Sequence, residues 1–328
     1  MTAAEILARF PGLSALVVGD ICLDRWCVYD PNLAEPSRET GIPRIAVTSL
    51  QVTPGAGGTV ANNLAALGCG RVSVLGVAGD DGFGYELRAA LAARSIDASL
   101  LLTVPAVQTF TYTKLLNAMT GEEDQPRVDY VNIQPFAEDT QREIAWRLKA
   151  HAERFDLILV SDQAETETGG VVTPAVREAL AALAARYPAK TIWVDSRLRP
   201  ELFHDVVVKP NEREAREACE RLFGRTDIEG LRRVIGSRPL VVTGGAEGAV
   251  VWEESGRTVV PARRVEKPVD ICGAGDSFSA GAALTLAVTG DAVAAAHFGN
   301  LVASVTIMKK GTGTATPDEV IAAGRALA

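Results

Sequence analysis

Short runs of β-branched and aliphatic residues alternate along this chain with Ala- and Leu-rich stretches that have the length of helices. The predicted strands are residues 15–19, 72–77, 157–160, 191–194, 206–208 and 240–243. The predicted helices are residues 60–67, 85–93, 140–154, 173–186, 212–223 and 277–288. Strands that alternate with helices predict an α/β fold, with a mostly parallel sheet that helices cover on both faces.

Two stretches depart from this rhythm. Residues 44–52 and 109–117 alternate polar and apolar residues, as half-exposed strands do. The first follows a loop-like segment, residues 29–43, which contains three prolines and a glycine. We interpret both stretches as strands of a small β-sheet that projects from the main body as a lid over a site. A pair of edge hairpins is the alternative, since periodicity alone does not separate the two.

The composition narrows the class of protein. The 328 residues allow one large domain or two. The net charge of −8 argues against a nucleic-acid binder, and no apolar run is long enough to cross a membrane. Five cysteines without a CxxC pair and three scattered histidines disfavour a disulfide framework or a zinc site. Because we also find no secretion signal, we expect a cytoplasmic protein that binds neither nucleic acid nor membranes.

The most informative local feature is the run Asp270-Ile-Cys-Gly-Ala-Gly-Asp276, which leads at once into an apolar stretch. The amides of Gly273, Ala274 and Gly275 can point at one spot, which suits a bound anion. Asp276 beside that spot could take a proton from an attacking hydroxyl. These are the two parts that transfer of a phosphoryl group to an alcohol requires. A glycine turn with Asp276 as a helix cap explains the segment equally well.

Several predicted strands end in polar or glycine residues. In open α/β sheets, ligands bind beyond the carboxyl ends of the strands, so these residues should share one edge. Loops after strands are often polar in any case, which is the alternative explanation. The residues are Gly19-Asp20 with Asp24, Ser161-Asp162, Asp195-Ser196, Lys209-Pro210-Asn211 and Gly244-Gly245.

Single residues around this edge have two readings each. Asp24 could accept hydrogen bonds from a sugar diol, or could belong to a turn. Asn62, after the Gly57-Gly58 pair, could bind hydroxyls or lie on a helix surface. Lys114 and Arg127 near the predicted lid could contact a substrate phosphate or be solvated charges.

Asn211 and Glu214 also have two readings. Their spacing is close to that of a capping box at a helix start. Glu214 could instead lie near a water-coordinated Mg²⁺ beside nucleotide phosphates. Elsewhere the chain has no GxxxxGK[ST] and no clean GxGxxG after a strand, which disfavours a P-loop kinase and a dinucleotide dehydrogenase.

Taken together, these motifs resemble those of the PfkB, or ribokinase-like, carbohydrate kinases. The resemblance spans residues 17–317 and depends on an ordered set of motifs. The segment Val18-Gly-Asp-Ile-Cys-Leu-Asp-Arg-Trp26, Arg127-Val-Asp129 and the closing Gly-Thr-Gly-Thr look most like the heptose-7-phosphate kinases. The ordered motifs are Gly19-Asp20 with Asp24, Gly57-Gly58 with Asn62, Gly79-Asp80-Asp81 with Gly84, Asn211 with Glu214, Thr243-Gly244, Gly273-Ala-Gly-Asp276 and Gly311-Thr-Gly313.

The resemblance implies ATP-dependent phosphorylation of a hydroxyl on a sugar or sugar phosphate. By position in the motifs, Asp276 would deprotonate the acceptor hydroxyl. The amides of Gly273, Ala274 and Gly275 would form the anion hole for the transferring group. The implied substrate-binding residues are Asp24, Gly57, Gly58, Asn62, Lys114 and Arg127.

The resemblance also implies sites for ATP, for Mg²⁺ and for a monovalent cation such as K⁺. Glu214, with Asn211, would organise Mg²⁺ and its waters. The monovalent cation would lie near Asp270, Gly311 and Gly313. The implied nucleotide-binding residues are Asp195, Asn211, Thr243, Gly245, Gly248 and Asn300.

The implied architecture is a single ribokinase-like domain over residues 1–328, a three-layer α/β/α, Rossmann-like body with a β lid. The lid strands would be inserted at about residues 25–52 and 105–133, and two copies would form a homodimer through their lids. A nucleoside kinase of the same fold and an inactive nucleotide- or sugar-binding sensor are the alternative functions.

Three features depart from the family pattern. Ile271 stands where the family usually has Thr or a similar small residue, so the backbone must supply whatever a hydroxyl would. Residues 36–43 differ from those expected of heptose kinases. Ser196-Arg197 stands where those enzymes carry a lysine, and arginine presents a planar fork rather than a point charge. The sequence therefore does not name the acceptor.

Overall fold

The computed structural model describes residues 1–166 and 168–325, so residues 167 and 326–328 of the predicted domain lie outside the described residues. The strands are β1 Ser14–Gly19, β2 Ile21–Tyr29, β3 Val47–Ala56, β4 Arg71–Leu75, β5 Val77–Ala78, β6 Leu102–Thr103, β7 Thr111–Asn117, β8 Val128–Tyr130, β9 Leu157–Asp162, β10 Thr191–Ser196, β11 Val207–Val208, β12 Leu240–Thr243, β13 Ala249–Glu253 and β14 Gly256–Val260. The α-helices are α1 Ala3–Leu7, α2 Gly57–Ala66, α3 Gly82–Ala92, α4 Glu138–His151, α5 Pro174–Arg186, α6 Glu212–Phe223, α7 Ile228–Ile235, α8 Ala274–Thr289, α9 Ala292–Thr306 and α10 Pro317–Arg325.

The main sheet has eight strands in the order β4-β1-β9-β10-β11-β12-β13-β14. The first six run parallel, and β13 and β14 add an antiparallel edge. The prediction of a mostly parallel sheet is therefore confirmed. The predicted strand over residues 72–77 is divided: β4 pairs with β1 as far as Leu75, whereas Val77 belongs to β5, which pairs with β6.

Helices cover both faces of this sheet. Alternate residues of β1 show the division: Ala15 and Val17 pack in one core with α2, α8 and α9, whereas Leu16 and Val18 pack in another with α4 and α5. A strand that is buried on both faces reads as a continuous apolar run, which explains the sequence of β1. The predicted three-layer α/β/α arrangement is confirmed.

A second, four-stranded sheet has the order β3-β2-β7-β8, and we call it the small sheet. Strands β2 and β7 are parallel, and the outer strands pair antiparallel to them. The two predicted lid strands correspond to β3 and β7, whereas β2 and β8 were not predicted as separate strands. Because β2 and β7 are parallel neighbours, the alternative of two edge hairpins is wrong.

Of the described helices, none is both long and apolar enough to cross a membrane. In the same part of the chain, all five cysteines are free thiols.

Candidate active site

The run of residues 270–276, which we call the signature turn, leads directly into α8. Gly273 precedes the helix and has a left-handed backbone, with a φ of +77°, which a residue with a Cβ rarely adopts. The Ala274 amide donates to the Ile271 carbonyl at 3.2 Å and closes the turn. Across residues 1–166 and 168–325, the amides of Gly273, Gly275 and Asp276 have no hydrogen-bond acceptor. These three amides lie at the positive end of the helix dipole and can face an anion.

The electrostatic surroundings of Asp276 suit a proton acceptor. Burial raises the pKa of Asp276 to about 7, and the carboxyls of Asp195 and Asp24 add to the rise. Lys209 and Arg197 oppose it. A general base works best when its pKa lies near the working pH, because it is then both available and basic enough.

A cavity of about 170 Å³ lies between the small sheet and the start of α8. Residues from distant parts of the sequence meet there, as expected for the carboxyl edge of a parallel sheet. Of the predicted site residues, those that line it are Asp24, Lys114, Arg127, Gly273 and Asp276. Sequence reasoning did not assign the following lining residues to the site: Arg25, Trp26, Ala56, Thr59, Tyr112, Gln163, Glu165, Arg197, Cys272 and Thr312.

Asp24 projects into this cavity from β2. Gly55 of the neighbouring strand β3 leaves room for it, since a Cβ on Gly55 would lie 2.3 Å from Asp24 Oδ1. Burial raises the pKa of Asp24 to about 6, although Lys114 and Arg127 lower it. An ionised carboxylate in this position can accept hydrogen bonds from two hydroxyls.

Lys114 and Arg127 are both held in place. Lys114 Nζ lies 4.6 Å from the centroid of the Trp26 ring and 3.6 Å from a Glu123 carboxyl oxygen. The Arg127 guanidinium lies 4.9 Å from the Tyr112 centroid, and a separate ion pair joins Arg127 to the neighbouring strand residue Asp129. Contacts with aromatic rings and carboxylates orient these two cations near Asp24. Their side chains remain 22% and 39% exposed.

The Gly57-Gly58 pair starts α2, and close packing explains why both residues are glycines. A Cβ on Gly57 would lie 2.8 Å from Ile21 Cδ1, and a Cβ on Gly58 would lie 2.5 Å from Pro54 Cβ. The helix therefore approaches β2 and β3 closely. Asn62 does not line the cavity, whereas Thr59 does.

The capping box at α6 is present. Asn211 Oδ1 accepts from the Glu214 amide at 2.9 Å, and Glu214 Oε2 accepts from the Asn211 amide at 2.7 Å. Burial raises the pKa of Glu214, and Asp195 adds to the rise. The second carboxylate oxygen of Glu214 is free of this box, so the donor set fits a water-coordinated Mg²⁺.

The loop after β12 lies beside Asn211. The Thr243 amide donates to the Pro210 carbonyl at 3.0 Å. Gly248 has a φ of +95°, and a Cβ there would lie 2.2 Å from the Val260 carbonyl oxygen. The Asn300 side chain donates to that same carbonyl at 3.1 Å. Gly248 and Asn300 therefore shape the backbone at residues 248–261.

A cavity of about 600 Å³ adjoins this loop. Three of the predicted nucleotide-binding residues line it: Asn211, Thr243 and Gly245. Charged residues of α6 form most of the rest of its lining, and it has no lining residue in common with the smaller cavity. Of the two cavities, only the smaller one has Asp276 in its lining.

Lys209 and Arg197 are the two cations that lower the pKa of Asp276, and sequence reasoning assigned neither of them to the site. Lys209 Nζ lies 2.8 Å from Asp195 Oδ2, and its side chain is 4% exposed. Arg197 forms an ion pair with Glu165 at the cavity. Lys209 follows a strand that the sequence predicts as buried. Because buried lysines are almost always paired, this position could have predicted an acidic partner for Lys209.

Asp270 links two loops of the implied cation site. Its Oδ1 accepts from the Cys272 amide at 2.9 Å, and its Oδ2 accepts from the Gly311 amide at 3.0 Å. The Gly313 amide donates to the Gly311 carbonyl at 2.9 Å. A carboxylate has about four acceptor positions, so the Asp270 oxygens retain lone pairs that could coordinate a cation. Nowhere in residues 1–166 and 168–325 do three His, Cys, Asp or Glu residues gather as a metal cluster.

The chain is similar to curated proteins over nearly its whole length. It is 29% identical over 333 residues to the bifunctional protein HldE of Geobacter sulfurreducens. It is 31% identical over 335 residues to that of Caulobacter sp. strain K31. These alignments cover 97% and 98% of this chain but 64% of each relative, so the chain spans about two thirds of the length of these relatives.

Solved structures with the same fold have low sequence identity to the chain. The ribokinase of Thermotoga maritima has a TM-score of 0.70 at 19% identity, over 95% of this chain and 99% of that one. A nucleoside kinase of Burkholderia thailandensis, in complex with inosine, has a TM-score of 0.65 at 18% identity, over 96% and 98%. These likenesses confirm the predicted ribokinase-like fold.

The sequence itself decides the family. The profile of the pfkB family carbohydrate kinases matches residues 14–319, which include the small sheet, the signature turn and the Gly311 loop. The chain belongs to the pfkB family of carbohydrate kinases.

Proposed function

We propose that this enzyme transfers the γ-phosphoryl group of ATP to a hydroxyl of a sugar or sugar phosphate. The observation that supports this most is one cavity that holds Asp276, free amides at the start of α8, and Asp24. Asp276 takes the proton of the acceptor hydroxyl, and the amides stabilise the charge on the transferring group. Transfer is in line, so positioning supplies much of the rate.

Four cationic residues line the cavity, which favours a phosphorylated acceptor over a neutral one. They are Arg25, Lys114, Arg127 and Arg197, and Asp24 lines the cavity with them. Asp24 would bind hydroxyls of the sugar, while guanidinium forks would bind a phosphate on the same molecule. The resemblance to heptose-7-phosphate kinases points the same way.

The cofactor would be ATP with Mg²⁺. Asn211 and Glu214 would hold the metal through water, and Asp195, Thr243, Gly245, Gly248 and Asn300 belong to the proposed nucleotide side. When bound, Mg²⁺ offsets charge on the phosphates. A K⁺ ion would lie at Asp270, Gly311 and Gly313. Assays in potassium and in potassium-free buffer test this, and equal rates would contradict it.

An acceptor panel tests the main proposal. ADP release is measured with hexoses, pentoses, nucleosides and sugar phosphates, including heptose 7-phosphate, against a control without acceptor. We expect a sugar phosphate to give the highest kcat/KM. Preference for nucleosides would identify a nucleoside kinase instead. Binding of ATP and sugar with no ADP release from any acceptor would favour the inactive sensor.

We also propose that two copies associate through their small sheets in the cytoplasm. The outer part of the small sheet and its adjoining loops expose apolar side chains that the described chain leaves uncovered. Single exposed apolar residues are normal, but a group of them marks an interaction surface. The residues and their exposed fractions are Ile42 67%, Ile45 45%, Val47 47%, Leu50 44% and Met119 70%.

A further inference from the structure

A buried ion pair lies beneath the first turn of α8. Asp195 is on β10, and Lys209 directly follows β11. The distance from Lys209 Nζ to Asp195 Oδ2 is 2.8 Å, and the side chains are 4% and 10% exposed. Moving two charges out of water costs about as much as their attraction returns, so such a pair adds little stability. Its position beside the proposed base suggests another role.

The pair contacts α8 on both sides of Asp276. Ser279, three residues after Asp276 on the same helix face, donates through Oγ to Asp195 Oδ2 at 3.3 Å. On the other side, a Cβ on Gly275 would lie 3.6 Å from Lys209 Nζ. The pair therefore braces the turn of helix that carries the Asp276 carboxyl.

The charges that face Asp276 come from three strands and the residues that follow them. Burial and the carboxyls of Asp195 and Asp24 raise the pKa of Asp276, whereas Lys209 and Arg197 lower it. Burial raises the pKa of the nearby thiols of Cys22 and Cys272, which keeps them uncharged. The two members of the pair thus act on Asp276 in opposite directions.

We propose that Asp195 and Lys209 form a positioning pair, which holds the start of α8 and balances the charge that the Asp276 carboxyl faces. This inference rests on the proposed role of Asp276 as the base. Each charge offsets the other, so removal of one member exposes the full effect of its partner. Lys209→Met should move the titration of Asp276 to higher pH, and Asp195→Asn should move it to lower pH.

The test follows the Asp276 carboxyl directly. Protein labelled with ¹³C at the aspartate carboxyls is titrated by NMR without nucleotide or metal, and Asp276→Asn assigns the signal. We expect shifts of about one pH unit, upward in Lys209→Met and downward in Asp195→Asn, as for a charge within a few ångströms. Unmoved midpoints in both variants would overturn the inference.

Matched variants separate charge from packing. Lys209→Arg keeps the charge, and Ser279→Ala removes a hydrogen bond but no charge, so both should titrate near the wild type. A shift in Ser279→Ala as large as that in Asp195→Asn would show that packing dominates and would contradict the inference. Where one single variant does not fold, the other decides, because each has its own direction of shift.

The NMR readout also separates this inference from the proposed function. Shifts in the expected directions, with no transfer to any acceptor, would support the pair and contradict the kinase proposal. Phosphoryl transfer to an acceptor, with an unmoved Asp276 titration midpoint in both variants, would support the kinase proposal and contradict the role of the pair. A higher KM for ATP in Lys209→Met with an unmoved midpoint would make Lys209 a nucleotide ligand and overturn its positioning role.

Discussion

At the scale of single residues, the proposed chemistry depends on one carboxyl that can lose its proton near neutral pH. Asp276→Asn keeps the shape of the side chain but cannot accept a proton. We expect kcat to fall by about 10²–10⁴-fold, the usual contribution of a general base. Calorimetric titration should show nearly unchanged ATP affinity. A variant with near-normal turnover would show that another group is the base.

The pH dependence of the wild type follows from the same residue. The base must be ionised to act, and burial raises the pKa of Asp276 to about 7. We therefore expect kcat/KM to rise through about pH 7 and to level off above it, since kcat/KM reports groups of the free enzyme. Initial rates measured across this range, at fixed ionic strength, check it. A flat profile between pH 6 and pH 8 would contradict the assignment.

Ionisation of the buried Asp24 carboxyl carries a cost in stability. Burial raises its folded pKa to about 6 from an ordinary value of 3.8, so ionisation opposes folding. This cost is absent below the unfolded pKa and complete above about pH 6. We expect Asp24→Asn to unfold at a higher temperature than the wild type at pH 7, but not at pH 4, and to lose acceptor binding. Equal melting temperatures at pH 7 would contradict this.

How far sequence could predict the site differs between residues. The turn at Gly273 and the carboxyl of Asp276 are adjacent in sequence, so a local pattern was enough. Lys209 pairs with Asp195 on another strand, and Arg197 pairs with Glu165 in another loop, so no local pattern contains either pair. The anion hole shows a smaller limit: the Ala274 amide was expected to face the anion, but it closes the turn, and the Asp276 amide is free instead.

At the scale of elements, the regular helices and strands were predictable and the irregular ones were not. The bounds of each of the six predicted helices lie within three residues of those of an observed helix. The helix α9 was missed because it is apolar on nearly every side, so it lacks a polar face to give periodicity. The β13–β14 hairpin was not predicted either, although the sequence contains a pattern typical of a hairpin: two runs of strand-forming residues separated by Glu254 and Ser255.

The pairing of β2 with β3 gives a prediction at this scale. A Cβ on Gly55 would lie 2.3 Å from Asp24 Oδ1, so Gly55→Ala must displace that carboxyl. We expect the KM for the acceptor to rise about tenfold or more, with a modest loss of stability from overpacking. Gly12→Ala is the matched control, because a Cβ there meets nothing within 4 Å. Equal acceptor KM values in both variants would contradict the role of Asp24.

At the scale of the whole molecule, the small sheet is the proposed contact between two copies. Leu50→Glu places a charge on exposed strand β3, and we expect it to turn dimers into monomers in sedimentation experiments. Leu222→Glu on α6 is the control, because Leu222 is exposed to a similar extent, 39% against 44%. A wild type that sediments as a monomer would contradict the proposal, and so would a dimer that survives Leu50→Glu.

The junction between β1 and β2 limits how the small sheet can move. One residue, Asp20, separates the two strands, and its carboxylate accepts from the amides of Gln163, Ala164 and Val171 at 2.7 to 2.9 Å. Its own carbonyl accepts from the Gly57 amide. Four hydrogen bonds to Asp20 therefore tie the start of β2 to the segment after β9 and to the start of α2. Asp24, four residues after Asp20, is thereby held in a fixed relation to the main sheet.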